Sequence, residues 1–310
     1  MKVGILGTGF GAYHASIYKK LPSVESITIF GRNEQKLFGL RGELGVNTTT
    51  EIDDILNDPD IGLVDVCLPN RLHCEYIQKA LAKGKHVFCE TKVCETMDEA
   101  AAIRKAELES GKRVFVDLFI KFDPAYRLIY DAIQQNLYGE LKAIHLKRNT
   151  AAVWGKLGFD TIVTNLMIHE LDFITWILGM PREVAAAGSS SNDREACVSA
   201  LLTYDGVMVE LAGSSMLPKS YPFTVGYEAI FEHGALHFYE QSSNEGTQQQ
   251  LIEYTPGGKS TIDLPSVNPY EESIKHVLDC CVHGSESMLS MDKASASLQL
   301  ALDIKKLLPG

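Results

Sequence analysis

Apolar residues in the first third of the chain come in short runs that stop abruptly at glycine or polar turns. "KVGIL" (2–6), "SITIF" (26–30), "IGLVDVCL" (61–68), "HVFCE" (86–90) and "RVFVDLF" (113–119) have the length and branching of buried strands. Between them lie stretches of helical period: "AYHASIYKKL", "EIDDILND", "LHCEYIQKALAKG" and "MDEAAAIRKAELESG". Gly84 falls just past the third of these, where a left-handed C-terminal cap is expected. Strands alternating with helices predict a doubly wound parallel sheet. From about residue 140 the pattern changes to long strand-like runs, with Asp205-Gly206 and His233-Gly234 between them marking hairpins. Two helical patterns close the chain, "YEESIKHVLDCCVHG" and "DKASASLQLALDIKKLL". At 310 residues two domains are expected. The reading is a first domain over 1–120 and a second over 121–310, with Asp123-Pro124 as N-cap and first residue of a helix.

The first strand ends at Gly7-Thr8-Gly9-Phe10-Gly11-Ala12. Strand, glycine turn, helix and second strand fit within about 30 residues, the context of a dinucleotide-binding turn. Gly7 allows the tight turn, Gly9 lets the backbone approach a pyrophosphate, and Ala12 is small enough for helix and strand to pack closely. The helix start adds free N–H groups for the phosphates. The rest of the cofactor set falls at the same edge: Thr8, Phe10 and Gly11 in the turn, Leu68, Pro69 and Asn70 after the third long run, and Glu90 after the fourth, with His73 shaping the cleft.

A site for NAD usually has a carboxylate at the end of the second strand, accepting from the ribose 2′-hydroxyl. Here the chain reads Phe30-Gly31-Arg32-Asn33, with no carboxylate until Glu34. Arg32 offers a fork suited to a 2′-phosphate, with Asn33 beside it, so NADP is preferred and NAD remains possible. The plainer reading of Arg32 is a solvated loop residue.

Composition narrows the partners. Lys and Arg total 29 against 40 Asp and Glu, a net charge of -11, which argues against nucleic acid or an anionic membrane as partner. No apolar run spans a bilayer, and the N-terminus does not read as a signal peptide. Seven cysteines without C-x-x-C spacing suit reduced thiols in the cytoplasm, with no metal site expected.

The glycine turn, "VDVCLPNRLHCEYIQKALAKGKHVFCE", "KFDPAYRLIYDAI", "YGELKAIHL" and "IHELDFITWILGMP" together resemble the Gfo/Idh/MocA family of NAD(P)-dependent oxidoreductases. The similarity runs over most of the chain. It implies a Rossmann domain followed by an α/β domain with a mostly antiparallel open sheet that often makes oligomer contacts, so a homo-oligomer (dimer or tetramer) is expected. It also implies a sugar or polyol as small-molecule substrate, and two catalytic motifs, Glu-Lys-Pro at a strand end and Asp-x-x-x-His on a helix.

This chain departs from both motifs. Glu90 matches, but Thr91 stands at the lysine position and Lys92 at the proline position; His169 matches, but Asn165 replaces the aspartate. Asn cannot titrate, so acid/base work shifts to His169 or a lysine. Without proline a cis bond costs roughly 2.5–4 kcal/mol, so a trans Thr91-Lys92 bond is expected. Lys92 could still turn into the site, or point to solvent while Thr91 hydrogen-bonds substrate. Lys121 is a second candidate for the missing lysine, Asp172 follows His169 by three residues, and Trp154 could close over a sugar ring or pack in the core. The resulting expectation is an NADP(H)-preferring enzyme moving a hydride to or from a secondary alcohol or ketone of a sugar or polyol. The alternatives are a regulatory or sensor protein of the same fold without turnover, and a redox-assisted glycosidase.

Overall fold

The computed structural model describes residues 1–151, 155–244 and 246–309. They divide into two compact units, one made of Met1–Phe119 with Asn268–Ser295, the other of Ile120–Val267 with Ala296–Gly310.

The first unit alternates strand and helix: β1 (Lys2–Leu6), α1 (Phe10–Tyr18), β2 (Ser26–Phe30), α2 (Glu34–Leu44), β3 (Asn47–Thr49), α3 (Ile52–Leu56), β4 (Ile61–Val66), α4 (His73–Ala82), β5 (His86–Cys89), α5 (Met97–Ser110) and β6 (Val114–Val116). Its six strands are parallel in the order β3-β2-β1-β4-β5-β6. The central strands are buried nearly throughout, as a sheet covered on both faces must be. Register decides where the chemistry goes. Leu6 lies level with Phe30 and Val66, Val66 with Cys89, and Cys89 with Val116. The residues that follow, Gly7, Gly31, Cys67, Glu90 and Asp117, therefore line up along one edge of the sheet.

The second unit holds α6 (Pro124–Gln134), β7 (Leu141–Ala151), α7 (Ile162–Asn165), α8 (Ile168–Leu178), then β8 (Glu183–Asn192), β9 (Glu195–Thr203), β10 (Met208–Leu217), β11 (Phe223–Phe231), β12 (Ala235–Ser243), β13 (Gly246–Thr255) and β14 (Gly258–Ile262). The sheet order is β14-β13-β12-β11-β7-β10-β9-β8, antiparallel except where β7 meets β10. Along β9, Ala196, Val198, Ala200 and Leu202 are buried while Cys197, Ser199 and Leu201 are exposed, so one face is packed and the other open. Asp123 caps α6 by accepting from the Ala125 N–H at 2.8 Å, with Pro124 at the first helical position.

Two helices remain, α9 (Pro269–His283) and α10 (Met291–Lys306), and the division between the units falls within α10. The sequence pattern assigns everything after residue 120 to the second domain; Asn268–Ser295 instead belongs to the first unit. The cause is a set of long-range contacts that no local pattern announces. Tyr270 stacks on Phe119 with ring centres 3.9 Å apart, Ser273 donates to Asp117 at 3.0 Å, and Arg113 donates to the carbonyls of Cys280 and Ser285.

Candidate functional site

The glycine turn leaves β1 with Gly7 at φ 121°, a conformation that L side chains rarely adopt. A Cβ on Gly7 would stand 2.3 Å from the Cys67 carbonyl oxygen, so both space and backbone require glycine there. Above Gly9, by contrast, nothing lies within 4 Å of the same probe position. That clearance sits at the start of α1, whose first N–H groups have no partner within the helix, and it fits a diphosphate. One assignment changes. Close helix–strand packing falls to Gly11, where a Cβ would meet Ile5 at 2.7 Å, and Ala12 is half-exposed. Thr8 borders this turn and explains Gly31, whose absent Cβ would collide with the Thr8 methyl at 2.5 Å. Phe10 is exposed and packs edge-on to Tyr13.

At the end of β2, Arg32 is exposed, and Asn33 caps α2 by accepting from the Lys36 N–H at 2.9 Å. Asn33 thus has a structural task of its own. After β4 the chain runs through Leu68 and Pro69 into a short 3-10 turn at Asn70–Leu72 and then α4. His73 opens α4, fully buried, with Nε2 2.6 Å from the Leu68 carbonyl oxygen and Nδ1 2.8 Å from that of Lys92. Burial holds its pKa below the usual histidine value. The ring stands between two strand-end loops; neutral, it donates to one of these carbonyl oxygens, and only when protonated to both.

The Thr91-Lys92 peptide bond is cis, not trans as the residue types favour. The Lys92 carbonyl oxygen lies 2.8 Å from His73 Nδ1, and the next two residues, Val93 and Cys94, are buried. The Lys92 side chain is itself buried, and its Nζ lies 2.5 Å from Glu95 Oε2. It therefore does not extend into solvent. Thr91 is half-buried beside it.

Beneath this edge lies a cluster that the motif reading missed. His14, on α1 and wholly buried, has Nδ1 2.8 Å from Asp65 Oδ2, and Nε2 3.1 Å from Glu90 Oε1 and 3.5 Å from Asp117 Oδ2. The Cys67 thiol donates to Asp65 at 3.3 Å. Burial works against a charged imidazole, but Asp65 and Asp117 more than reverse this, and the His14 pKa is raised well above its usual value. Burial pushes Glu90 up to about 7 against the pull of His14, and also raises Asp117. His14, Cys67 and Glu90 bring donor atoms within 4.8 Å of one another. His14 and Cys67 already share Asp65 as partner, so the cluster reads as a proton-sharing network rather than a metal centre. The signal was present in the sequence: Asp65 and Asp117 are lone carboxylates inside apolar strand runs, and such groups need buried partners.

In the second unit, Asn165 ends α7 and His169 lies in the first turn of α8. The two therefore do not share one continuous helix. The chain widens at the junction, where the Met167 N–H reaches back to Ile162 at 3.1 Å. His169 has its pKa held well below the usual value, by burial and then by Arg148, so it is neutral near pH 7. Arg148 in turn meets Glu170, with Nε and Nη2 2.7–2.8 Å from its carboxylate, and Tyr126 donates to the same group at 3.2 Å. Lys121 and Asp172, both fully buried, pair at 2.8 Å. The structure thus brings together these two sequence-predicted residues. Trp154 lies outside the described residues.

The sequence profile of the oxidoreductase family with an NAD-binding Rossmann fold matches residues 1–118, and that of the Gfo/Idh/MocA C-terminal domain matches residues 126–237. The chain belongs to the Gfo/Idh/MocA family. Like its family, it is an oxidoreductase built on a nicotinamide-binding domain. Among curated relatives, inositol 2-dehydrogenase of Pseudomonas syringae pv. syringae is 27% identical over 256 residues, 78% of this chain and 75% of that protein. Among solved structures, UDP-N-acetylglucosamine 3-dehydrogenase of Acidithiobacillus ferrooxidans shares the fold with a TM-score of 0.83 at 19% identity, over 99% of this chain and 97% of that one. Biliverdin reductase of Synechocystis, solved with biliverdin and NADP+, does so with a TM-score of 0.81 at 18% identity, covering 99% and 98%. At those identities the likeness carries the fold alone, and substrates this different on one fold leave specificity to individual side chains. Among the described residues no helix is long and apolar enough to cross a membrane.

Proposed function

We propose that this Gfo/Idh/MocA member is an NADP(H)-preferring oxidoreductase that exchanges a hydride with a secondary alcohol or ketone of a polyol, sugar or related compound. The observation that carries it is the glycine turn, tight at Gly7 and open above Gly9, at the carboxyl edge of a parallel sheet. A nicotinamide cofactor bound there supplies the hydride chemistry. Gly7 to Gly11 would hold its diphosphate, Arg32 its 2′-phosphate, and Leu68, Pro69, Asn70 and Glu90 the edge beyond. The inositol 2-dehydrogenase relative supports a polyol as substrate class.

His169 is the residue we assign to proton transfer. As a neutral imidazole it can accept the hydroxyl proton of an alcohol, and Asn165 can orient that hydroxyl without titrating. Thr91 and Lys92 polarise the reacting oxygen in this reading, and Asp172 with Lys121 supports the His169 helix from beneath. The open face of the eight-stranded sheet is the surface through which we expect a homo-oligomer to form. The test is a fluorescence titration of NADPH against NADH, followed by a turnover screen over inositols, sugars and their ketones on the same sample. Equal affinity for both cofactors would remove the role of Arg32. Tight cofactor binding without turnover would favour a sensor, the reading suggested by Asn165 and by the engagement of Lys92 with Glu95.

A further inference from the structure

We propose that His14 is a positioning residue that sets the charge on Glu90, and that Glu90 makes the first unit discriminate between oxidised and reduced nicotinamide cofactor according to pH. The inference rests on the reading of that unit as the cofactor site. Three carboxylates, Asp65, Glu90 and Asp117, surround one imidazole in a buried cluster. One cation cannot balance three buried anions, so the cluster must retain at least one extra proton near neutral pH. Of the three, Asp65 and Asp117 are wholly buried, whereas the Glu90 side chain is 17% exposed with one oxygen against His14. Glu90 is therefore the member through which the network exchanges protons with its surroundings, and it titrates near pH 7.

Its position gives that titration a consequence. Adjacent strands lie about 4.8 Å apart, so the end of β5 is roughly 10 Å from the glycine turn of β1. It lies on the side away from β2, whose end reads the adenosine ribose. The cofactor half beyond the diphosphate thus falls toward β4 and β5. Oxidised nicotinamide carries one positive charge on its ring and the reduced form none. An ionised Glu90 favours the oxidised form, and a protonated Glu90 does not. The groups facing this centre are His14 and Tyr18 from α1, Asp65 and Cys67 from β4 and its end, Cys89 and Glu90 from β5 and its end, Asp117 after β6, and Ser273 from α9. Burial brings Glu90 to about 7, while it pushes the Tyr18, Cys67 and Cys89 groups up so that they stay neutral there.

The experiment measures dissociation constants of NADP+ and NADPH between about pH 5.5 and about pH 8.5, a window centred on the Glu90 midpoint. The 2′-phosphate also titrates, near about pH 6, but it does so in both cofactors and cancels in their ratio. In the wild-type protein the ratio of the NADP+ constant to the NADPH constant falls roughly fivefold as pH rises through 7. Glu90→Gln makes the ratio independent of pH. His14→Gln removes the neighbouring cation, so Glu90 stays protonated longer and the midpoint moves to higher pH. Should His14→Gln fail to fold, the wild-type curve and Glu90→Gln decide the matter. A flat wild-type ratio with both cofactors bound, or an unchanged curve in Glu90→Gln, would overturn this inference while leaving the cofactor site intact. Failure of both cofactors to bind at any pH would overturn the cofactor site and this inference together.

Discussion

Both units bury several charges, but they balance them differently. Among the described residues of the second unit, the two fully buried carboxylates each face a cation: Lys121 for Asp172 and Arg148 for Glu170. In the first, three carboxylates share His14. Equal burial therefore has unequal consequences. A one-to-one pair is locked, because separating it leaves an uncompensated buried charge. A cluster with surplus carboxylates must hold a mobile proton, and that proton makes it respond to pH. The rigid pairs sit under the helix that carries His169, and the responsive cluster sits under the strand end that carries Glu90.

The largest expected effect tests the locked pairs. Lys121→Met removes the cation beside buried Asp172 and should destabilise the protein by about 3–5 kcal/mol in denaturant unfolding. The double variant Lys121→Met with Asp172→Leu should recover most of that loss. If the single variant is as stable as the wild type, the pair is not what holds this helix.

Next comes His169, which burial and then the nearby Arg148 keep neutral. His169→Ala should cut turnover by roughly 10²–10⁴-fold while NADPH affinity survives. Because the His169 pKa is lowered, alcohol oxidation should persist at and below pH 6.5 and fail only in more acid solution, as the ring gains its proton. A loss of activity centred above pH 6.5 would assign the base elsewhere.

A smaller effect separates the cluster from the pairs by stability. Glu90 has its pKa raised from 4.5 to about 7 in the folded state, so its contribution is complete below the ordinary carboxylate range and is lost as pH rises through 7. Glu90→Gln should flatten that fall, a change on the order of 3 kcal/mol between the acid and alkaline ends. Equal pH dependence in variant and wild type would mean the surplus proton resides elsewhere. The smallest change is expected from Asp117→Asn, which removes one neighbouring anion. It should move the Glu90 midpoint down by roughly one pH unit or less, read from the same stability curves.

Much of this was legible along the chain. The strand runs, the glycine turn, the cap of Gly84 past α4 and the Asp123-Pro124 start of α6 all appear in the structure where the pattern puts them. These features depend on neighbours within a few residues, and local chemistry decides them. The motif departures at Thr91-Lys92 and Asn165 were equally plain. What they do in three dimensions was not. The cis bond, the engagement of Lys92 with Glu95 and the break between Asn165 and His169 lie among contacts, such as those of His73 and Ile162, that the motif does not contain. The membership of Asn268–Ser295 in the first unit depends on contacts across some 150 residues, such as Ser273 to Asp117.

The sequence by itself determined the fold class, the glycine turn and the identity of every group able to titrate, because periodicity and residue type are local properties. Only the tertiary structure decided which of those groups share a proton. His14 comes from α1, Asp65 from β4, and Glu90 and Asp117 from the ends of β5 and β6; parallel register together with the packing of α1 on the sheet brings the three carboxylates within 3.5 Å of one imidazole. A pKa depends on distance and burial, and neither is written along the chain.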